Sequence, residues 1–169
     1  MRYINNKFFI ERKNIKFLTK KFNTPLYCYS YKNLRENIEN FKKAFKGIRP
    51  LICFSVKSNS NISLLKEIKK LGLGADVVSK GELYASLKAG INKNKIVFSG
   101  VGKTRDEIQY AIKQKILLIN SESLSEVLAI EKVAKKLNNV FNIGLRLNPD
   151  TDAETLKQIS TGKSENKFG

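Results

Sequence analysis

Lys57 closes an apolar run, Leu51-Ile52-Cys53-Phe54-Ser55-Val56, and is followed at once by Ser58-Asn59-Ser60. An apolar run bounded by turn residues reads as a buried strand, so this lysine stands at a strand's mouth. Most other lysines of the chain fall in polar, helix-patterned stretches. Two readings of the position are open. Desolvation disfavours the charged form and leaves a free amine, the species that forms a Schiff base with an aldehyde. The other reading is a strand-end lysine whose methylenes lie on apolar surface while its ammonium reaches water.

Other chemistries are narrowed by composition. The chain has no histidine. That removes the commonest general base and metal ligand, and with them any Ser–His–Asp or Cys–His nucleophile system. Cys28 and Cys53 lie far apart in apolar, strand-like runs. They read as reduced, buried residues of a cytoplasmic protein, with no metal site. Gly100-Val101-Gly102-Lys103-Thr104 resembles the end of a phosphate-binding loop, but that pattern needs glycine where Val97 stands. The simpler reading is a βα loop feeding a capped helix, with Lys103 structural. Gly72-x-Gly74 lacks the third glycine of a dinucleotide fingerprint. The net charge of +17 is mostly lysine spread over helix faces, with sparse arginine. This predicts salt-sensitive, non-specific association with polyanions and no specific nucleic-acid partner. No apolar run has the length of a membrane span, and the N-terminus lacks the apolar stretch of a secretory signal.

The elements that must position Lys57 repeat. Apolar runs begin at Leu51, Ala75, Ile96, Leu117 and Phe141, each separated from the next by enough chain for a crossover helix. The intervening stretches carry helical faces: Leu64, Leu65, Ile68 and Leu71; Leu83, Leu87 and Ala89; Val127, Leu128, Ile130, Val133 and Leu137. Ser79-x-x-Glu82, Thr104-x-x-Glu107 and Ser123-x-x-Glu126 predict three capping boxes in phase with the strands. The grammar is α/β with a parallel sheet of about five βα units. Residues 1–30 stand outside it as a short β segment, with strands expected at Lys7–Ile10 and Leu26–Tyr29. A helix is expected from Tyr31 to Ala44, with Leu34, Ile38, Phe41 and Phe45 on one face.

A five-stranded doubly wound sheet and part of a (β/α)8 barrel both fit this count. Alternation puts Cys53, Ser55 and Lys57 on one face of the first strand, and Gly144, Arg146 and Asn148 on one face of the last. A doubly wound sheet buries both faces in apolar residues, whereas a barrel interior can hold a polar site at its C-terminal mouth. The polar face favours the barrel.

A series of motifs runs along the chain in order. Thr24-Pro25-Leu26-Tyr27-x-Tyr29 comes first, then Phe54-Ser55-Val56-Lys57-Ser58-Asn59. Gly74-Ala75-Asp76-Val77-Val78-Ser79-x-Gly81-Glu82-Leu83 and Phe98-x-Gly100-x-Gly102-Lys103-Thr104 follow. Asn120-x-Glu122-Ser123 leads to Arg146-Leu147-Asn148-Pro149. Ile159-Ser160-Thr161-Gly162 and Glu165-Asn166-Lys167-Phe168-Gly169 close the series. In this order the chain resembles the N-terminal part of the diaminopimelate decarboxylases, pyridoxal-phosphate enzymes of the alanine-racemase-like barrel family.

The resemblance implies a partial (β/α)8 TIM-type barrel over residues 31–169. Residues 1–30 would belong to a second, β-rich domain, and the whole would be truncated relative to the family. It implies pyridoxal 5'-phosphate as cofactor, with Lys57 as its covalent anchor. Asp76 matches the acidic residue near that lysine, and Arg146 a residue facing the cofactor's ring oxygen. Their plainer readings are a turn-forming carboxylate and a structural arginine paired with a carboxylate such as Asp76. Ser79 and Glu82 fit a helix cap better than a catalytic role. The implied reaction takes meso-2,6-diaminopimelate to L-lysine and carbon dioxide in a homodimer, with the isolated chain expected to be inactive. A non-catalytic pyridoxal-phosphate carrier, or a decarboxylase of ornithine, arginine or carboxynorspermidine, are the alternatives. Two departures stand out: Leu156 where the family commonly has histidine, and Ser55 where it has a small apolar residue.

Overall fold

The structure, a computed structural model, describes residues 2–151 and 161–162. The chain divides into two compact units, Met1–Pro50 and Leu51–Gly169.

The first unit opens with an antiparallel meander of β1 (Arg2–Ile4), β2 (Lys7–Ile10) and β3 (Lys13–Asn14). Its first turn is Asn5-Asn6, with φ of 46° and 58°. A two-residue hairpin turn of this hand needs positive φ at both central residues, and asparagine tolerates it. Asn14 caps α1 (Ile15–Phe22) by accepting from the Lys16 amide. The strand expected at Leu26–Tyr29 does not form: this stretch has no ladder partner, and Tyr27 and Tyr29 are exposed. A β-prone composition needs a neighbouring edge to pair with and a surface to pack on. The α2 helix (Tyr31–Ala44) forms where its pattern placed it, with Ser30 as cap. Leu34, Ile38 and Phe45 are half-buried on its expected face. Phe41 is exposed, its ring tilted against Phe45.

The second unit is a parallel sheet of β4 (Cys53–Ser55), β5 (Gly74–Val77), β6 (Ile96–Phe98), β7 (Leu118–Ser121) and β8 (Ile143–Leu145). Four helices follow its first four strands: α3 (Ile62–Lys70), α4 (Lys80–Lys88), α5 (Arg105–Gln114) and α6 (Leu124–Lys136). Strand order in the sheet is strand order in the sequence. A doubly wound sheet reverses direction at a switch point, so chain neighbours part there. A sheet that adds each strand beside the last is an arc of a (β/α) barrel.

The two faces differ as that architecture requires. Val56, Ala75, Val77, Ile96, Phe98 and Ile119 are fully buried on the outer side, with Leu65, Ile68, Leu83, Ile108 and Ile112 of the helices. On the inner side Ser55, Asp76, Val97, Ser99, Leu118 and Asn120 are only half-buried. The first strand is shorter than its apolar run, because Val56–Ser58 winds into a 3-10 turn.

Of the three expected capping boxes, only Thr104–Glu107 closes in both directions. Ser79 and Ser123 do accept from the amides of Glu82 and Glu126. The two glutamates, however, accept from Val78 and Glu122, one residue upstream of the cap. The cause is backbone geometry: Thr104 has φ of −75°, while Ser79 and Ser123 are extended at −156° and −162°. The extended caps turn their own N–H groups away from the glutamate.

Candidate active site

Parallel register sets Ser55 beside Asp76, Asp76 beside Val97, Val97 beside Leu118, and Asn120 beside Gly144. Alternation therefore brings Cys53, Ser55, Gly74, Asp76, Ser99, Asn120, Gly144 and Arg146 to one face. This is the inner face, and its C-terminal end is where barrel enzymes carry their sites.

A polar relay crosses that end. Ser99 Oγ donates to Asp76 Oδ1 at 2.6 Å, and Asn120 Nδ2 donates to Ser99 Oγ at 3.1 Å. It joins the ends of three successive strands. Two glycines permit close approaches on this face. A Cβ at Gly144 would run into Asn120 Oδ1, and one at Gly74 would strike the Lys95 carbonyl and Cys53 Sγ. Burial, reinforced by the Asp76 charge, pushes the Cys53 thiol above its ordinary range. Cys53 is thus a small, protonated residue low on this face, unlike an activated nucleophile.

Lys57 sits in the 3-10 turn just past β4, at the C-terminal end of the sheet. Ser58 Oγ donates to the Ser55 carbonyl at 2.7 Å and the Asn59 amide to that of Val56 at 2.9 Å, which fixes the turn. The lysine itself is exposed, and the buried residue of the turn is Val56. The expected desolvation of this amine is therefore corrected. Within the described sheet β4 is an edge strand with a neighbour on one side only.

Asp76 lies on the inner face of β5. Its bond is to Ser99, and among the described residues no hydrogen bond or ion pair joins it to Lys57. Arg146 directly follows β8. Its amide donates to the Ser121 carbonyl at 2.9 Å, and its Nη1 lies 3.5 Å from Glu122 Oε1. The carboxylate beside it is thus Glu122, where sequence reasoning suggested Asp76. Asp76 and Arg146 share one face, Lys57 stands at the same end of the sheet, and among the described residues no hydrogen bond or ion pair joins the three to one another. Leu156 lies outside the described residues.

Sequence reasoning missed Ser99 and Asn120. The signal was a polar residue at the C-terminal end of an apolar run, after Ile96-Val97-Phe98 and after Leu117-Leu118-Ile119. It read Lys103 as structural, without its partners. In the structure the Lys103 ammonium is buried and donates to Gly100 O, Asn120 O and Glu126 Oε1.

The residues fit a pyridoxal cofactor in kind. An amine stands at the mouth of the sheet, and the inner face below it carries Ser55, Asp76, Ser99 and Asn120 beside Val97 and Leu118. Among the described residues no group of histidine, cysteine and carboxylate side chains could hold a metal, and no helix is long and apolar enough to cross a membrane.

A family model described as the pyridoxal-binding domain of pyridoxal-dependent decarboxylases matches residues 31–169. The diaminopimelate decarboxylase of Helicobacter pylori is 47% identical over 156 residues, covering 92% of this chain and 38% of that protein. The one from Haemophilus influenzae is 48% identical over 168 residues, covering 99% and 40%. Among solved structures, the H. pylori diaminopimelate decarboxylase complexed with L-lysine superposes with a TM-score of 0.89 at 46% identity. That match covers 92% of this chain and 40% of that one. A lysine/ornithine decarboxylase from Vibrio vulnificus, at 15% identity and a TM-score of 0.70, shares the fold. The chain therefore spans about 40% of the length of the relatives it matches.

Proposed function

The chain belongs to the pyridoxal-dependent decarboxylases through their pyridoxal-binding domain, and from that membership we propose that it is the cofactor-anchoring part of a diaminopimelate decarboxylase. The reaction would take meso-2,6-diaminopimelate to L-lysine and carbon dioxide. One observation carries the choice of substrate. Diaminopimelate decarboxylases of several bacteria are 43% to 48% identical to this chain over most of its length. The solved arginine and lysine/ornithine decarboxylases are only 21% and 15% identical.

Each residue then has a role. The Lys57 amine would hold the cofactor's aldehyde at the mouth of the sheet. Arg146 would face the ring oxygen, with Glu122 beside it. Asp76 would present a carboxylate toward the lysine, oriented by the Ser99 hydroxyl. When bound, the pyridine ring supplies an electron sink for the pair left behind by departing carbon dioxide. The residues named here bind and orient. The same reading makes the protein a cytoplasmic homodimer with an amino-acid substrate. The residues that complete catalysis would come from the part of the relatives that this chain does not match, so these 169 residues alone are expected to turn over substrate no faster than background.

Covalent capture tests the anchor. The chain is incubated with pyridoxal phosphate, reduced with borohydride, digested and mapped by mass spectrometry. A chain of net charge +17 offers many lysines, so selectivity is the readout. One stoichiometric label at Lys57, lost in Lys57→Ala, is the expected result. Label scattered over surface lysines with Lys57 unmarked would overturn the assignment.

A further inference from the structure

We propose that Lys103 is a positioning residue: its buried ammonium ties the loops after β6 and β7 together and so sets where Asp76, Asn120 and Arg146 stand at the mouth of the sheet. The inference rests on the reading above only for what that mouth would hold.

The Lys103 side chain is 2% exposed. Its ammonium lies 2.6 Å from Gly100 O, 2.7 Å from Asn120 O and 2.8 Å from Glu126 Oε1. An ammonium has three protons and no acceptor, so all its capacity is spent. It has nothing left for a ligand, which explains why the phosphate-loop likeness of Gly100–Thr104 is only a likeness. Stability is a weak reason for the pair, because a buried ion pair roughly breaks even against apolar side chains of the same volume. What distinguishes this one is where its partners lead.

Asn120, whose carbonyl Lys103 holds, uses its side-chain amide to donate to Ser99, and Ser99 donates to Asp76. Glu126, held through one oxygen, accepts the Glu122 amide with the other at 2.8 Å. The Glu122 carboxylate is 6% exposed and lies beside Arg146. Gly100, held through its carbonyl, turns the loop after β6 with φ of +97°, a conformation that favours glycine. One cation is thus the node between the Asp76 relay and the Glu122–Arg146 pair. On one side it borders a groove of about 420 Å³ lined by Val101, Gly102, Glu122, Ser123 and Ser125.

The test compares the full chain with K103M, E126Q and K103M/E126Q, and because Glu126 itself accepts the Glu122 amide, each effect of the double variant is read against E126Q alone. The double variant removes the uncompensated carboxylate that K103M alone would bury, so it isolates the lost carbonyl bonds from the lost charge. Two readouts need no cofactor: backbone amide exchange, and peptide-mapped phenylglyoxal modification of Arg146. In the double variant the Glu122 amide is expected to exchange at least about tenfold faster, the effect of losing charged hydrogen bonds locally. Arg146 modification should speed up, while exchange at Ala75 and Phe98 stays within about twofold. Capture of pyridoxal phosphate at Lys57 should slow at an unchanged melting temperature. Uniform loss of protection, outright unfolding of the double variant, or behaviour at Glu122 and Arg146 no different from E126Q would each overturn the positioning role. If wild-type Lys57 is not labelled, the cofactor reading fails, and the exchange data still decide the role of Lys103.

Discussion

Ser86 is fully buried in α4, and its hydroxyl has no hydrogen-bond partner among the described residues. A buried hydroxyl without a partner forfeits its hydration, at a cost of about 1–3 kcal/mol. Ser86→Ala deletes that oxygen and leaves a cavity too small to offset the gain. The variant is expected to be about 1 kcal/mol more stable, read as a higher urea midpoint at unchanged slope; a lower midpoint would mean that the hydroxyl has a partner. Ser86 also shows how far single residues were legible. Apolar counting drew the α4 face through Leu83, Leu87 and Ala89. Leu83 and, at the C-cap, Ala89 are buried as drawn, but Leu87 is only half-buried and Ser86 takes the other buried position of the helix. A small polar residue held in the core by its position leaves no hydrophobic signal. The same limit applied at the site. Lys57, Asp76 and Arg146 were legible as candidates, the first by its position and the other two through the resemblance. Their environments were not, because Ser99 and Glu122 come from neighbouring βα units.

Helix starts were the most legible elements, since a cap is written in a few adjacent residues. The reciprocal bonds were less so, because they depend on the cap's φ. The complete box at α5 gives the sharpest expectation. Thr104→Ala removes a hydroxyl that accepts from the Glu107 amide and is expected to cost about 1 kcal/mol. Glu107 adds a pH dependence. Burial acts to raise its carboxyl, but the amides of Thr104 and Lys80 and the Thr104 hydroxyl outweigh it and hold the group below its ordinary value. A carboxyl depressed by folding stabilises the fold above its unfolded value and loses that contribution as pH falls through its folded one. Melting temperature should therefore fall through the acid range more steeply in the wild type than in Glu107→Gln. Because the Lys80 amide lies at the N-terminus of α4, the same carboxylate also couples two helix starts. Identical acid limbs in the two proteins would show that Glu107 does not titrate with folding.

The sheet's two-faced character was legible from alternation, and it favoured the barrel. Strand order was not, since it is set by which edges meet. Here that order leaves β8 at the edge of the described sheet. β5, β6 and β7 bury Ala75, Val77, Ile96, Phe98 and Ile119 on the outer side. Ile143 and Leu145 of β8 are exposed there, Leu145 at 66%, and Leu147 just beyond is 83% exposed. Leu124 and Leu128 of α6 are exposed as well. An exposed apolar strip beside a strand edge unpaired among the described residues favours association in water. Self-repulsion at net charge +17 opposes it. The two forces separate with salt, which shortens the reach of charge to about 8 Å near 0.15 M and leaves apolar contact intact. Light scattering by the chain should therefore rise with ionic strength, and Leu145→Lys/Leu147→Lys should suppress that rise while leaving the melting temperature close to the parent's. Scattering that falls with added salt would assign the association to charge and clear the β8 face.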